Sequence, residues 1–281
     1  MKFYKYQALG NDFIIVDCLK QKIKMDSVDA RKLCNRKFGV GADGILYLLP
    51  SKIADFRMRI INADGSEAEM CGNGIRCLAR YLYDCKHTKK KKLMIETLAG
   101  KIQTESFFKN GKFHKVKVNM GAPIFERSRI PMLGEGKDTD EIMEINNEKI
   151  SGTGVSIGNP HFVMFDKKIR DMDRIKEIGA AIESHKIFPN RTNVEFAQLI
   201  SDKEARAVVY ERGCGITLAC GTGACAVAAV GVIKGKLKAD AQITVHLLGG
   251  DLEIVVSRDL KKVEMIGSAE KVFEGEIHEK F

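Results

Sequence analysis

Cys71-Gly72-Asn73-Gly74-Ile75-Arg76-Cys77-Leu78 and Cys220-Gly221-Thr222-Gly223-Ala224-Cys225-Ala226-Val227 open on the same Cys-Gly-x-Gly, 149 positions apart. Each heads a helical pattern. Two further pairs lie at nearly the same offset. Gly10-Asn11-Asp12-Phe13 matches Gly158-Asn159-Pro160-His161-Phe162 at 148, and Leu98-Ala99-Gly100-Lys101 matches Leu248-Gly249-Gly250-Asp251 at 150. No single match is specific, but three in one order at one spacing predict two homologous halves with the same fold.

Each half is then read at low resolution. Short β-branched or alternating runs bounded by Gly, Asn or Asp predict strands over 13–16, 45–49, 57–61, 93–97 and 116–118, and over 162–165, 194–199, 207–210, 243–247 and 252–256. Buried helices are expected over 73–83 and 222–233, and amphipathic ones over 27–37 and 173–184. Few strands alternate with helices, so a doubly wound parallel sheet is unsuited. The expected class is α/β of the α+β type, each half a mainly antiparallel sheet wrapped around a central helix. The strand-like close at 265–277 is expected to return to the first half. The domains are therefore 1–119 with 266–281, carrying Cys71, and 120–265, carrying Cys220.

Composition excludes several classes. With 281 residues, 44% apolar and 30% charged, 26 Gly and 5 Pro, the chain is no disordered polymer, collagen or coiled coil. The +9 balance of 46 basic against 37 acidic residues is scattered. Its densest piece, Lys86-His87-Thr88-Lys89-Lys90-Lys91-Lys92, lacks interleaved aromatics that stack bases, so it reads as a solvated loop and nucleic acid is not expected as a partner. Residues 213–233 carry no charge, but only 12 or 13 form a helical run, short of the roughly 20 that span a bilayer, so no membrane association is expected. Gly39-Val40-Gly41-Ala42-Asp43-Gly44 matches a dinucleotide fingerprint in spacing alone; it follows a helix and opens a strand, the reverse of what that site needs.

Eight cysteines are too few for a disulfide scaffold, and the opening Met1-Lys2-Phe3-Tyr4-Lys5-Tyr6 has no apolar signal core. Reduced thiols and a cytoplasmic setting are expected. No short paired spacing suits a metal and no Cys-x-x-Cys suits a redox pair; Cys18, Cys34, Cys77, Cys85 and Cys225 read as packing. Cys71 and Cys220 differ, because a thiol at a helix start meets free N–H groups and the positive dipole end, which is expected to lower its pKa. The same N–H groups hold a carboxylate. Two like groups opposed across one carbon suit inversion of a stereocentre: one thiolate removes the Cα proton and the other thiol delivers one to the opposite face. Acid–base catalysis supplies about 10²–10⁴-fold. Preorganised donors on the developing enolate add roughly 2.7–4 kcal/mol each, so no electron-sink cofactor is required.

At these residues the chain resembles the diaminopimelate epimerase family over its whole length. Gly10-Asn11-Asp12-Phe13 is similar to the family's opening motif. Asn62-Ala63-Asp64-Gly65-Ser66-Glu67 with Cys71-Gly72-Asn73-Gly74 is similar to its first catalytic motif, Gly158-Asn159-Pro160-His161 to its second-half counterpart, and Glu211-Arg212-Gly213 with Leu218 to Ala226 to its second catalytic motif. The resemblance implies a two-domain pseudosymmetric fold and interconversion of LL- and meso-2,6-diaminopimelate, in lysine and peptidoglycan precursor synthesis, with neither pyridoxal phosphate nor a metal. It implies Cys71 and Cys220 as proton donor and acceptor, assisted by His161 and Glu211. Asn11, Asn62, Asn159 and Asn193 correspond to substrate-contacting asparagines. Gly72 with Asn73 and Gly221 with Thr222 correspond to carboxylate cradles, and Glu211 with Arg212 to the pair at the substrate's polar groups. The sequence does not fix the oligomeric state; a homodimer is compatible with the resemblance.

Read alone, an Asn after Gly is a turn residue, His161 before a strand is a structural histidine, and Arg212 is a bidentate partner for a distal carboxylate. Gly44 stands where some members carry a substrate-touching Gln, and Cys214 and Ile216 replace more usual small and polar residues. Two alternatives stay open: a proline or hydroxyproline racemase-like enzyme, and a non-catalytic amino-acid-binding or thiol-sensing protein.

Overall fold

Leu9 and Gly10, at φ 54° and 87°, supply the two positive φ values of a tight hairpin turn between β1 (Lys2–Ala8) and β2 (Asn11–Asp17). The computed structural model describes residues 1–21, 27–137 and 139–278. After that hairpin come α1 (Ser27–Leu33), β3 (Gly44–Leu49), β4 (Phe56–Asn62), β5 (Glu67–Ala68), α2 (Gly72–Asp84), β6 (Lys92–Thr97), β7 (Gly100–Lys109) and β8 (Lys112–Gly121). The chain continues through β9 (Asp140–Ile145), β10 (Glu148–Ser156), β11 (Pro160–Asp166), α3 (Met172–Glu183), β12 (Asn193–Ser201), β13 (Glu204–Glu211), β14 (Gly215–Thr217), α4 (Gly221–Ile233), β15 (Gln242–Leu247), β16 (Gly250–Val256), β17 (Val263–Gly267) and β18 (Glu270–Glu276).

Two compact units result, Met1–Asn119 with Ile266–Phe281 and Met120–Met265. Their strand pairings repeat. In the first, β1–β2 is antiparallel, β2–β3 parallel, β3–β4 antiparallel, β4–β6 parallel and β6–β7 antiparallel. In the second, β10–β11, β11–β12, β12–β13, β13–β15 and β15–β16 run through the same alternation. In each unit the pairing is thus mixed but mainly antiparallel, with one helix packed against its strands: α2 touches β1, β2, β3, β4, β7 and β18, and α4 touches β10, β11, β12, β13, β15 and β16. The two half-length copies expected from the motifs are therefore two copies of one topology. β18 pairs antiparallel with β1, which returns the chain's end to the first unit.

α4 is apolar all round and suits its buried place; Ala224 to Val230 are at most 1% exposed. α2 is buried along Gly72 to Ala79, including Arg76, whose guanidinium donates to the carbonyls of Ser268 and Gly72. All ten expected strands lie within observed ones. Six strands were not expected: β1, β5, β7, β9, β10 and β14. β7 and β9 owe their pairing to neighbours, not apolar content, since every second residue faces solvent. The helix expected over 27–37 ends at Leu33. Asn35 Oδ1 accepts from the amides of Lys37 and Phe38 at 2.8 and 2.9 Å, and this side-chain turn competes with another helical turn. The lysine-rich stretch is anchored where His87 Nε2 lies 2.8 Å from buried Asp17 and where Lys90 Nζ donates to Asp55 at 2.7 Å.

Candidate active site

In the first unit the thiol of Cys71 caps α2. Its extended backbone (φ −140°, ψ 118°) turns the side chain back so that Gly74 N donates to Sγ at 3.4 Å. Asn11, at the start of β2, presents Oδ1 to this thiol at 3.8 Å and accepts from Asn73 Nδ2 at 3.1 Å. The carboxamide is held in that sense because Nδ2 donates to Asp43 Oδ2 at 2.7 Å. The parallel β2–β3 pairing, Phe13 against Gly44, brings these residues together. Asp43 also accepts from the Asp12 amide and from Arg36, which grips both Asp12 carboxylate oxygens. Behind them, Lys5 lies 2.6 Å from Asp12 and is 5% exposed. Burial would raise the Asp12 carboxyl, but the Arg36 and Lys5 hydrogen bonds win and hold it at about 2.

Asn62 ends β4 opposite Gly44 and donates to Ser66 Oγ at 2.9 Å; Ser66 Oγ in turn donates to Asp64 at 2.6 Å. Gly44 has a packing reason, since a Cβ there would lie 2.9 Å from the Ile61 carbonyl oxygen.

In the second unit Cys220 caps α4 in the same way, with Gly223 N donating to Sγ at 3.3 Å, and Thr222 Oγ1 shares a hydrogen bond with the same sulfur at 3.4 Å. The helix start does not lower this thiol. Burial pushes Cys220 well above the ordinary thiol value, and the Glu211 and Glu195 carboxylates push the same way against the weaker help of Thr222 and Gly223. The expectation of a lowered pKa is corrected for Cys220: desolvation at 6% exposure outweighs the dipole.

His161, fully buried, bridges Glu195 Oε1 at 2.6 Å from Nδ1 and Asn159 Oδ1 at 2.9 Å from Nε2. Asn193 uses its carboxamide on backbone, donating to the Pro160 carbonyl at 2.8 Å and accepting from Arg212 N at 2.9 Å. One Nδ2 hydrogen is left for a ligand. Glu211 accepts from the Thr217 hydroxyl, and Arg212 is steadied by one bond to the Asn190 carbonyl at 3.0 Å. Cys214 is exposed, on the β13–β14 turn that Glu183 holds through Gly213 N at 2.7 Å.

Asn11, Cys71, Gly72 and Asn73 thus meet in one unit and Asn159, His161, Cys220, Gly221, Thr222 and Glu211 gather in the other, while Asn62 ends β4 and Asn193 begins β12. The sequence reading missed Asp43, Arg36 and Glu195. Glu195 was signalled by one charge inside the apolar run Val194 to Ala197; Asp43 stood inside the dismissed glycine motif. Among the described residues no group of three or more His, Cys, Asp or Glu is placed to hold a metal ion, and no helix is long and apolar enough to cross a membrane.

A family model described as diaminopimelate epimerase matches residues 3–126 and 153–272. The chain belongs to the diaminopimelate epimerase family. A diaminopimelate epimerase of Moorella thermoacetica is 47% identical over 278 residues, covering 98% of this chain and 99% of that protein. One of Methanococcus maripaludis is also 47% identical over 278 residues, covering 99% of each. Among solved structures, a hydroxyproline epimerase from Agrobacterium vitis superposes with TM-score 0.73 at 15% identity, covering 98% of this chain and 91% of that one. A Bacillus anthracis phenazine biosynthesis protein of the PhzF family superposes with TM-score 0.71 at 17% identity, covering 99% and 98%. These distant likenesses speak to the fold alone.

Proposed function

We propose that this chain interconverts LL- and meso-2,6-diaminopimelate without a cofactor, by a two-thiol mechanism. One observation supports it above the rest: two structurally equivalent units each present a cysteine as the N-cap of a buried helix. One sulfur, as thiolate, takes the Cα hydrogen as a proton. The carbanion's charge passes into the adjacent carboxylate, and the other sulfur, as thiol, returns a proton to the opposite face. The enzyme is left with its two protonation states exchanged, ready for the reverse direction. Cys220, with its raised proton affinity, is suited to begin as the donor. The first helical N–H groups, at Gly72 and Asn73 and at Gly221 and Thr222, have no intrahelical acceptor and suit the reacting carboxylate. Arg212 suits the distal carboxylate, Asn11, Asn62, Asn159 and Asn193 the remaining polar groups, and His161 and Glu211 assist proton movement. The lobes of the enzyme are residues 1–119 with 266–281 and residues 120–265. It acts in the cytoplasm, in lysine and peptidoglycan precursor synthesis, as a homodimer.

The test is to incubate the protein with LL-diaminopimelate in D2O. Deuterium enters at one Cα as the meso isomer accumulates; no exchange with intact protein refutes the reading. Cys71→Ala and Cys220→Ala each abolish turnover, and full activity in either one refutes the two-thiol scheme. Proline and hydroxyproline, assayed beside it, are not turned over. Tight binding of diaminopimelate without exchange would instead mark a non-catalytic binding protein.

A further inference from the structure

The two units are not chemically equivalent beneath their thiols. Strand register gives the correspondence. Phe13 pairs with Gly44 across β2–β3, and His161 pairs with Asn193 across β11–β12, so Phe13 matches His161 and Leu46 matches Glu195. The antiparallel neighbours agree, with Leu46 facing Ile60 and Glu195 facing Val209. The helix starts agree as well. A Cβ on Gly74 would lie 3.1 Å from Leu46, and one on Gly223 would lie 3.0 Å from Glu195 Oε1. At this place the first unit has an apolar leucine, whereas the second holds a fully buried carboxyl joined to an imidazole.

That pair has a definite proton content. His161 Nε2 faces Asn159 Oδ1, an acceptor, so Nε2 must carry a hydrogen. One further proton lies between Nδ1 and Glu195 Oε1 at 2.6 Å. Whether it sits on nitrogen or on oxygen, the pair is net neutral, and a net-neutral pair is what a buried site tolerates. Glu195 Oε2 is buried with no hydrogen-bond partner, and burial raises the carboxyl, which keeps that proton within the pair. The titratable groups that bear on the pair are Cys220 at the start of α4 and Glu211 on β13; the β11 side supplies the Phe162 amide.

We propose that Glu195 is a positioning residue. Through His161 it keeps a hydrogen on Nε2, which pins the Asn159 carboxamide with Oδ1 inward and Nδ2 as the donor presented to a ligand. In the other unit Asp43 pins Asn11 in the opposite sense, taking Nδ2 and presenting Oδ1 toward Cys71. Equivalent asparagines thus offer an acceptor in one unit and a donor in the other.

The proposal rests on the diaminopimelate reading for its kinetic arm only. In Glu195→Gln the amide nitrogen can donate to Nδ1, which leaves the neutral ring's hydrogen on Nε2, so this variant keeps close to the wild-type KM for diaminopimelate. In Glu195→Leu nothing holds Nδ1, and KM for diaminopimelate rises roughly tenfold, the cost of one lost hydrogen bond, with a smaller change in kcat. A Leu variant with the wild-type KM, or a Gln variant as impaired as the Leu variant, overturns the proposal. Nitrogen-15 spectra of the unliganded wild type judge it independently of folding or turnover. An Nε2 that stays protonated at about pH 8 supports it, and an Nε2 without hydrogen there overturns it. If the wild type turns over no diaminopimelate, the functional reading fails alone and the spectra still decide this one.

Discussion

Replacing Asp12 by Asn probes the charge network that holds Asn11. The carboxyl lies at about 2 against an ordinary 3.8, chiefly because Arg36 and Lys5 donate to it despite its burial. That difference is worth about 2 kcal/mol of folding free energy. The sign follows from the depressed value. The stabilisation is fully present above the unfolded carboxyl's pKa and is lost as pH falls through the folded one, between about pH 5 and about pH 1. The Asn variant cannot take charge, and it leaves Lys5, 5% exposed, beside the Gly41 carbonyl without its counter-ion. Urea unfolding of both proteins, followed by circular dichroism, is expected to show a loss of about 2 kcal/mol or more near pH 7 that shrinks as the solution is acidified. Arg36 also loses its two-pronged partner, so Asp43 holds Asn11 less firmly and KM for diaminopimelate rises. Equal stability of the two proteins near pH 7, or a gap that does not narrow in acid, would refute the reasoning.

The helix-start glycines should separate. Gly223→Ala places a methyl 3.0 Å from Glu195 Oε1, 3.1 Å from Val209 and 3.3 Å from the Cys220 Cβ, whereas Gly74→Ala meets only one atom closer than 3.5 Å, a Leu46 methyl at 3.1 Å. Thermal unfolding is expected to show a loss of about 1–3 kcal/mol for Gly223→Ala and less than about 1 for Gly74→Ala; the reverse order would contradict the packing. Iodoacetamide should label exposed Cys214 before Cys220 at neutral pH, since burial keeps Cys220 a thiol, and labelling of Cys220 should keep accelerating as pH rises past 9.0. Peptide mass spectra settle the order, and faster labelling of Cys220 would reject the raised proton affinity.

Much of this fold was legible because its signals are local. A Cys followed by Gly-x-Gly has the makings of an N-cap wherever it occurs, and both copies form one. The uncharged run from Gly221 to Ile233 needs no partner to declare itself buried. β7 and β9 were not legible in the same way, because their Lys, Gln and Glu residues are tolerated on a solvent face that only the neighbouring strand creates. The end of α1 is not legible in the same way, because Asn35 suits a helix or a turn until its side chain accepts from the amides of Lys37 and Phe38.

The candidate site divides along the same line. Cys71, Cys220, Asn11 and Asn159 stand out in the chain because the repeat marks them twice. What surrounds them does not. Asp43 reaches Asn11 and Glu195 reaches His161 across the parallel pairings β2–β3 and β11–β12, each joining residues more than thirty positions apart.

By itself the sequence determined that there are two like halves, that a thiol caps one helix in each, and which strands flank them, since caps and apolar periodicity are properties of neighbours along the chain. Only the tertiary structure decided that one thiol lies over leucine and the other over a buried glutamate–histidine pair, and that Cys220 holds its proton tightly. Proton affinity depends on which charges stand close and how much water is excluded, and both are set by crossover connections that bring distant residues together.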